Sequence, residues 1–267
     1  MSATVPHHID SIDALTAAAA GHGLELRGGF AVEDGDGVPA VGGAPARHLL
    51  LFGNAGSAMW AAFRASAEYR DRAPEPLNRW SRRIGEALAR RCDARALFPF
   101  GGAPHLPFLR WGKKAEALQN SQLGMLMHPR FGLWHAYRFA LAFGGPADDG
   151  RFAPAGNTVA AAPAGGENIC DQCATKPCLN ACPVNAFTAA GYDVRACVAH
   201  LESAPAGRCM THGCQARLAC PQGADYRYQP AHAAFHMRAF VAAMTAGEFA
   251  DAIDNSRAAE TAGNAPG

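Results

Sequence analysis

Apolar positions over the first 145 residues switch repeatedly between helical and extended spacing. Residues 9–21 are alanine-rich and predict a short helix closed by Gly21 and Gly23. Residues 24–32 predict a strand, and the Gly/Pro/Asp-rich residues 33–46 a loop. The run His48-Leu-Leu-Leu-Phe-Gly53 is apolar almost throughout and short, the pattern of a buried strand. It leads through Asn54-Ala-Gly56-Ser57 into a predicted helix over 58–69, with Trp60 and Phe63 on one face. A second helix over 76–91 is started by Pro74 and Pro76 and repeats Trp80, Ile84 and Leu88 at four-residue spacing. Residues 94–98, 122–127 and 134–143 read as strands. In the last of these, His135, Tyr137, Phe139 and Leu141 alternate with Trp134, Ala136, Arg138 and Ala140, so strict alternation sets each group on its own face. This interleaving predicts an N-terminal α/β domain over 1–145.

Beyond Gly144 the pattern dissolves into Gly, Pro, Ala and Asp, which predicts a linker over 146–166. A second, smaller domain is expected over 167–250, closed by a helix over 231–245, and residues 251–267 read as a frayed polar tail. The fold class expected of the whole is α+β.

Composition narrows the classes of function. A formal net charge of +1 gives no electrostatic footprint for nucleic acid, and no polybasic run suggests a membrane surface. No apolar stretch approaches the roughly 18 residues needed to cross a bilayer. The first residues, Met-Ser-Ala-Thr-Val-Pro-His-His, lack the basic and apolar regions of a secretory signal, which leads to the expectation of a cytoplasmic protein. A reducing compartment leaves thiols available for metal.

The thiols are the distinctive chemistry. Eight of the nine cysteines lie between 170 and 220. The first set reads Cys170-Asp-Gln-Cys173-Ala-Thr-Lys-Pro-Cys178-Leu-Asn-Ala-Cys182-Pro183, and Cys197, Cys209, Cys214 and Cys220-Pro221 follow. Cys-x2-Cys followed by Cys-x3-Cys-Pro is the ligand pattern of ferredoxin-type clusters, and eight cysteines supply two [4Fe–4S] clusters. In such modules the fourth cysteine of each motif serves the other cluster. The assignment is then Cys170, Cys173, Cys178 and Cys220 for the first cluster, and Cys182, Cys197, Cys209 and Cys214 for the second. The prolines remove a backbone donor and turn the chain away just after the ligand. Zinc is one alternative, since four thiolates also satisfy it. An intact first cluster with a degenerate second is another, because the second set is irregularly spaced. Cys92 stands apart and reads as core.

Leu77-Asn-Arg-Trp80-Ser, Phe98-Pro-Phe100-Gly-Gly and Leu126-Met-His128-Pro129-Arg130-Phe131-Gly132-Leu-Trp134 resemble the cobalamin-processing (CblC-type) family. An α/β domain placed before a dicluster module resembles epoxyqueuosine reductase, as do Val194-Arg195-Ala-Cys197 and Gly213-Cys214 with Cys220-Pro221-Gln222. The resemblance covers residues 45–145 weakly and 168–225 well. It implies a nitroreductase-like domain that holds cobalamin, reduced by two [4Fe–4S] clusters. It makes Ser121, His128, Arg130 and Trp134 candidate corrinoid contacts; packing is the other reading for His128, His135 and Trp134. Where that family places a catalytic aspartate, Pro104-His105-Leu-Pro-Phe108-Leu-Arg110 has no carboxylate, which leaves His105 as the candidate proton donor and counts against epoxide reduction on tRNA.

Other motifs carry less. His200 and His212 lie among cysteines that already complete two sets of four. Lys176, Arg195 and Arg208 would offset cluster charge or face solvent. Asn54-Ala-Gly56-Ser57 reads as a helix N-cap, with a phosphate cradle as the alternative. The expectation is an iron–sulfur oxidoreductase that passes single electrons to a corrinoid, supplied by a redox partner protein. The alternatives are a ferredoxin-type electron carrier without corrinoid and a cobalamin-handling protein.

Overall fold

The computed structural model describes residues 8–144, 150–154, 168–188 and 191–246. Most of the expected linker and all of the expected tail lie outside these residues. The chain divides into two compact units. The first comprises Met1–Ser121, Met125–Ala174 and Pro221–Arg227, and the second Gln122–Gly124, Thr175–Cys220 and Tyr228–Gly267.

In the first unit α1 (Ile12–Ala20) is capped by the Ser11 hydroxyl, which accepts from the Ala14 amide. Strands β1 (Glu25–Ala31) and β2 (Ala46–Ala55) follow, then the short helices α2 (Trp60–Arg64) and α3 (Ala67–Arg70). The single helix expected over 58–69 is therefore two, because Ser66 takes an extended conformation and its hydroxyl caps α3 at the Tyr69 amide. Helix α4 (Pro76–Arg91) matches its expected span, with Pro76 at its first turn. Strand β3 (Arg95–Leu97), helix α5 (Phe108–Ala115), the pair β4 (Gln119–Asn120) and β5 (Leu126–Met127), strand β6 (His135–Gly144) and α6 (Ile169–Gln172) complete the unit. Residues 122–127, expected as one strand, are mostly the turn between β4 and β5.

The main sheet has the order β1-β2-β6-β3, and every ladder among the described residues is antiparallel. Helices and strands do interleave as expected, but without the parallel crossovers of a βαβ domain. The continuous apolar run of β2 has another cause, which is that helices cover both of its faces. Leu49 and Leu51 pack with Phe108, Trp111 and Ala115 of α5. On the other face Phe52 stacks on Phe139 at 5.2 Å, and the Phe139 ring meets α4 at Gly85.

Strand β6 departs from strict alternation. Phe52 pairs with Phe139, but the next residue, Gly53, pairs with Tyr137, leaving Arg138 as a bulge. The bulge shifts the side-chain parity, so Tyr137 joins Trp111 and Leu49 on the α5 face rather than Phe139 on the α4 face. Gly112 makes room for it: a Cβ there would lie 2.6 Å from the Tyr137 ring.

The second unit is built from α7 (Pro177–Asn180), a hairpin of β7 (Phe187–Thr188) and β8 (Gly191–Tyr192), α8 (Val194–Ser203), α9 (Arg208–His212), α10 (Gln215–Ala219) and α11 (Pro230–Thr245). Helix α11 packs on α9 and α8, and α7 on α10. No helix among the described residues is long and apolar enough to cross a membrane.

Candidate metal centre

Cys182, Cys197, Cys209 and Cys214 all belong to the second unit. Cys197 senses the charge of Cys182 and Cys209; Cys209 senses Cys182; Cys214 senses Cys197 and Cys209. These are the cysteines assigned from sequence to one cluster, and their irregular spacing is explained by what lies between them. Helix α8 begins just before Cys197, α9 carries Cys209, and the glycine turn at Gly213 (φ +97°) reverses the chain so that Cys214 can open α10.

The Ala186 amide donates to Cys182 Sγ at 3.3 Å. The Gln215 backbone lowers the Cys209 thiol, and the Ala216 and Arg217 backbones lower that of Cys214, against the burial that raises both. The Tyr192 side chain likewise lowers the Cys197 thiol against its burial. Burial pushes the Cys197, Cys209 and Cys214 thiols up from their ordinary range, with neighbouring thiolates adding to the effect. Burial of thiols within electrostatic reach of one another disfavours free thiolates and favours thiolates bound to a cation. Among the described residues no three His, Cys, Asp or Glu side chains are disposed to hold a single metal ion. A four-iron cube makes a different demand, one thiolate on each of four irons rather than four around one centre.

The other set is distributed differently. Cys170 and Cys173 group with the first unit, Cys178 and Cys220 with the second. Cys170 lies on α6, where the Asn168 carboxamide caps its amide at 2.8 Å; the Gln119 and Asn120 strand holds that turn through Ile169 N to Gln119 Oε1 at 2.9 Å and Asn168 Nδ2 to Asn120 O at 3.1 Å. Cys178 lies on α7 and Cys220 directly follows α10, the helix on which α7 packs. Cys170, Cys178 and Cys220 are buried and Cys173 is half-buried. Cys92 has a structural role: its thiol donates to the Leu88 carbonyl, and burial pushes it up to about 12, so it is inert at neutral pH.

The candidate corrinoid residues sit in and around a hairpin turn of the first unit. His128 and Gly132 bridge each other, and Gly132 takes a left-handed φ of +59° where a Cβ would come within 2.0 Å of the Gln222 carbonyl. His128 Nδ1 accepts from the Arg130 and Phe131 amides at 3.0 and 3.1 Å, and its ring stacks on Phe131 at 4.3 Å. Arg130 is exposed and donates to the Tyr226 hydroxyl at 2.7 Å. Ser121 is half-buried, with its amide on the Met125 carbonyl. Trp134 is 2% exposed, within the core. His105 is exposed in the loop ahead of α5.

Behind that turn lies a buried ionic group that sequence reading missed. Arg27 forks onto Glu116 at 3.0 and 3.2 Å and donates to the Asn54 carbonyl at 3.2 Å, while the Tyr137 hydroxyl donates to Glu116 Oε2. The Arg27 guanidinium also lies 4.6 Å from the Phe131 ring centre. Burial raises the Glu116 carboxyl, against the pull of Arg27 and the Tyr137 donor, and burial with the Glu116 charge raises the Tyr137 phenol. His128 Nε2 lies 3.6 Å from Glu116 Oε1, yet burial and the Arg27 and Arg130 guanidiniums outweigh that carboxylate and lower His128 to about 4. The two amides on Nδ1 require a lone pair there, so the imidazole is neutral with its proton on Nε2. These partners are 89 and 21 residues apart, and no local pattern announces them.

Asn54-Ala-Gly56-Ser57 is not a cap. Asn54 is 1% exposed and donates to the Gly56 carbonyl, while Met59 occupies the N-cap position of α2. His212 is exposed against Thr211, and Arg208 donates to Gln215 Oε1 at 3.3 Å. No family model matches the chain, and no curated protein matches it significantly.

Proposed function

We propose that this protein is a cytoplasmic iron–sulfur oxidoreductase that carries single electrons through two [4Fe–4S] clusters. The observation supporting it is that Cys182, Cys197, Cys209 and Cys214 share the second unit within electrostatic reach of one another, with the Ala186 amide on Cys182 Sγ at 3.3 Å. In this reading these four hold one cluster, and Cys170, Cys173, Cys178 and Cys220 hold the other. A cluster, when bound, supplies one-electron transfer at a potential set by hydrogen bonds to its sulfurs and by burial. The chain's own contribution is to bury the ligands, keep water from them and place the donors.

The electron acceptor in this proposal is a corrinoid held by the first unit, a reading that rests on the resemblance to the cobalamin-processing and epoxyqueuosine reductase families. The nitroreductase-like and ferredoxin-like characters of the two domains rest on the same resemblance. A second reading, an electron carrier that docks a redox partner without corrinoid, is favoured by a specific observation. Trp134 is enclosed in the core and His128 Nδ1 is committed to two backbone amides, so neither is poised to touch a ligand. Anaerobic purification with cobalamin supplied separates them. Stoichiometric cobalt beside iron supports the reductase; iron without cobalt, and no spectral change on adding cobalamin, supports the carrier.

A further inference from the structure

Helix α11 carries two histidines one turn apart, His232 and His236, at the spacing that sets side chains side by side. Their Nε2 atoms lie 3.1 Å apart. The surroundings hold the pair in place. His232 is fully buried and stacks on the Tyr228 ring at 4.0 Å with 19° between the planes, and His236 lies 5.7 Å from the same ring. The Arg217 guanidinium sits 4.6 Å from the centre of the Tyr228 ring. Ala233 seats the helix on the turn at Gly213, where a Cβ would come within 2.9 Å of the Ala233 methyl. All of these residues belong to the second unit, and His236, which is half-buried, opens the pair to solvent. Two neutral imidazoles at this distance share one hydrogen bond, with a proton on one Nε2 and a lone pair on the other. The same spacing suits a shared ion. With nitrogen–metal bonds of about 2.05 Å, nitrogens 3.1 Å apart subtend about 98° at the metal, between the octahedral and tetrahedral angles. Rings that face a common ion in this way have centres about 4.9 Å apart, whereas rings aimed straight at each other have them about 5.4 Å apart. The observed separation is 4.9 Å, the value for converging nitrogens. Among the described residues no third His, Cys, Asp or Glu joins the pair, which leaves the other coordination positions to water.

We propose that His232 and His236 form a two-imidazole site for a divalent transition-metal ion of the zinc, nickel or copper class, separate from the cysteine sets. Imidazole nitrogen suits these ions, whereas magnesium and calcium take oxygen ligands. Binding asks the donor ring to move its proton from Nε2 to Nδ1, so that both Nε2 lone pairs meet the ion. No electron is transferred and no net proton is lost. The site does not depend on the cluster assignment, and its test leaves the thiols occupied.

The test is a calorimetric Ni²⁺ titration of the whole, untagged protein, purified anaerobically with its cysteine-bound metal in place, followed by nickel K-edge X-ray absorption. Nickel is chosen because its edge is read apart from that of iron or zinc on the thiols. Wild type is expected to take one Ni²⁺ per chain, with two imidazoles in its shell and oxygen in the other positions. His236→Ala removes one ligand at a half-buried position and puts a strong helix former in its place. It should bind Ni²⁺ at least about tenfold more weakly, since even the partners of a metal ligand carry that much affinity. Equal affinity in the two proteins overturns the proposal, as does the absence of Ni²⁺ binding to wild type. Sulfur in the nickel shell, or fewer than two imidazoles, overturns it as well. If His236→Ala fails to fold, the X-ray absorption of wild type decides alone, by the same shell.

Discussion

The neutral His128 imidazole makes folding sensitive to mild acid, and the size of the effect follows from its surroundings. Its ordinary value of 6.5 falls to about 4 in the folded protein because burial, Arg27 and Arg130 all disfavour the imidazolium. The folded form therefore binds fewer protons than the unfolded form between those two values, and stability falls as pH drops through that window. From pH 7.5 to pH 5.5 the loss works out at about 1.3 kcal/mol, rising to about 3 kcal/mol once both states are protonated. The side chain is only 13% exposed, so solvent screening does little to reduce this. Asparagine is the informative replacement, since its Oδ1 can accept the Arg130 and Phe131 amides in place of Nδ1 but does not titrate. Urea unfolding followed by circular dichroism, anaerobically at both pH values, should show wild type losing about 1.3 kcal/mol more than His128→Asn. Equal losses in the two proteins would refute the reasoning, as would an imidazole resonance of His128 that titrates near its ordinary value.

Three other perturbations test separate parts of the structure. Arg27→Met leaves Glu116 and its Tyr137 partner buried without a cation and should cost about 3–5 kcal/mol in denaturant unfolding; Arg27→Met combined with Glu116→Leu should recover much of that loss. Gly132→Ala puts a Cβ into the Gln222 carbonyl at a left-handed residue and should cost at least about 2 kcal/mol by the same measurement, whereas Gly124→Ala, equally left-handed but with open space around it, should cost only about 1 kcal/mol. Cys220→Ala should damage the cluster assigned to Cys170, Cys173 and Cys178 and leave the signal of the other, read by EPR on the reduced protein; loss of the other signal alone would refute the crossed assignment.

Helical periodicity made α4 legible to the residue, because a long amphipathic helix with Pro76 at its start repeats its signal over four turns. The helix over 58–69 failed at one residue, Ser66, whose hydroxyl offers the backbone a cap in place of a helical bond. Strand β2 was legible as buried, but burial on both faces is shared by parallel sheets and by this antiparallel one, so the run alone could not give the pairing. The bulge at Arg138 left no mark in the sequence, and it moved Tyr137 to the opposite face and into contact with Glu116. Spacing alone proposed Cys182, Cys197, Cys209 and Cys214 as one ligand set, and all four fall in the second unit. His128 looked like a ligand-facing residue from its motif, and became the acceptor of a turn through two short-range amides.

The most direct test of the central claim is iron and acid-labile sulfide analysis, with Mössbauer spectroscopy, on anaerobically purified protein. The account predicts about eight irons and eight sulfides per chain, all in four-iron cubes. Zinc in their place, or about four irons with the spectrum of a single cube, would contradict it.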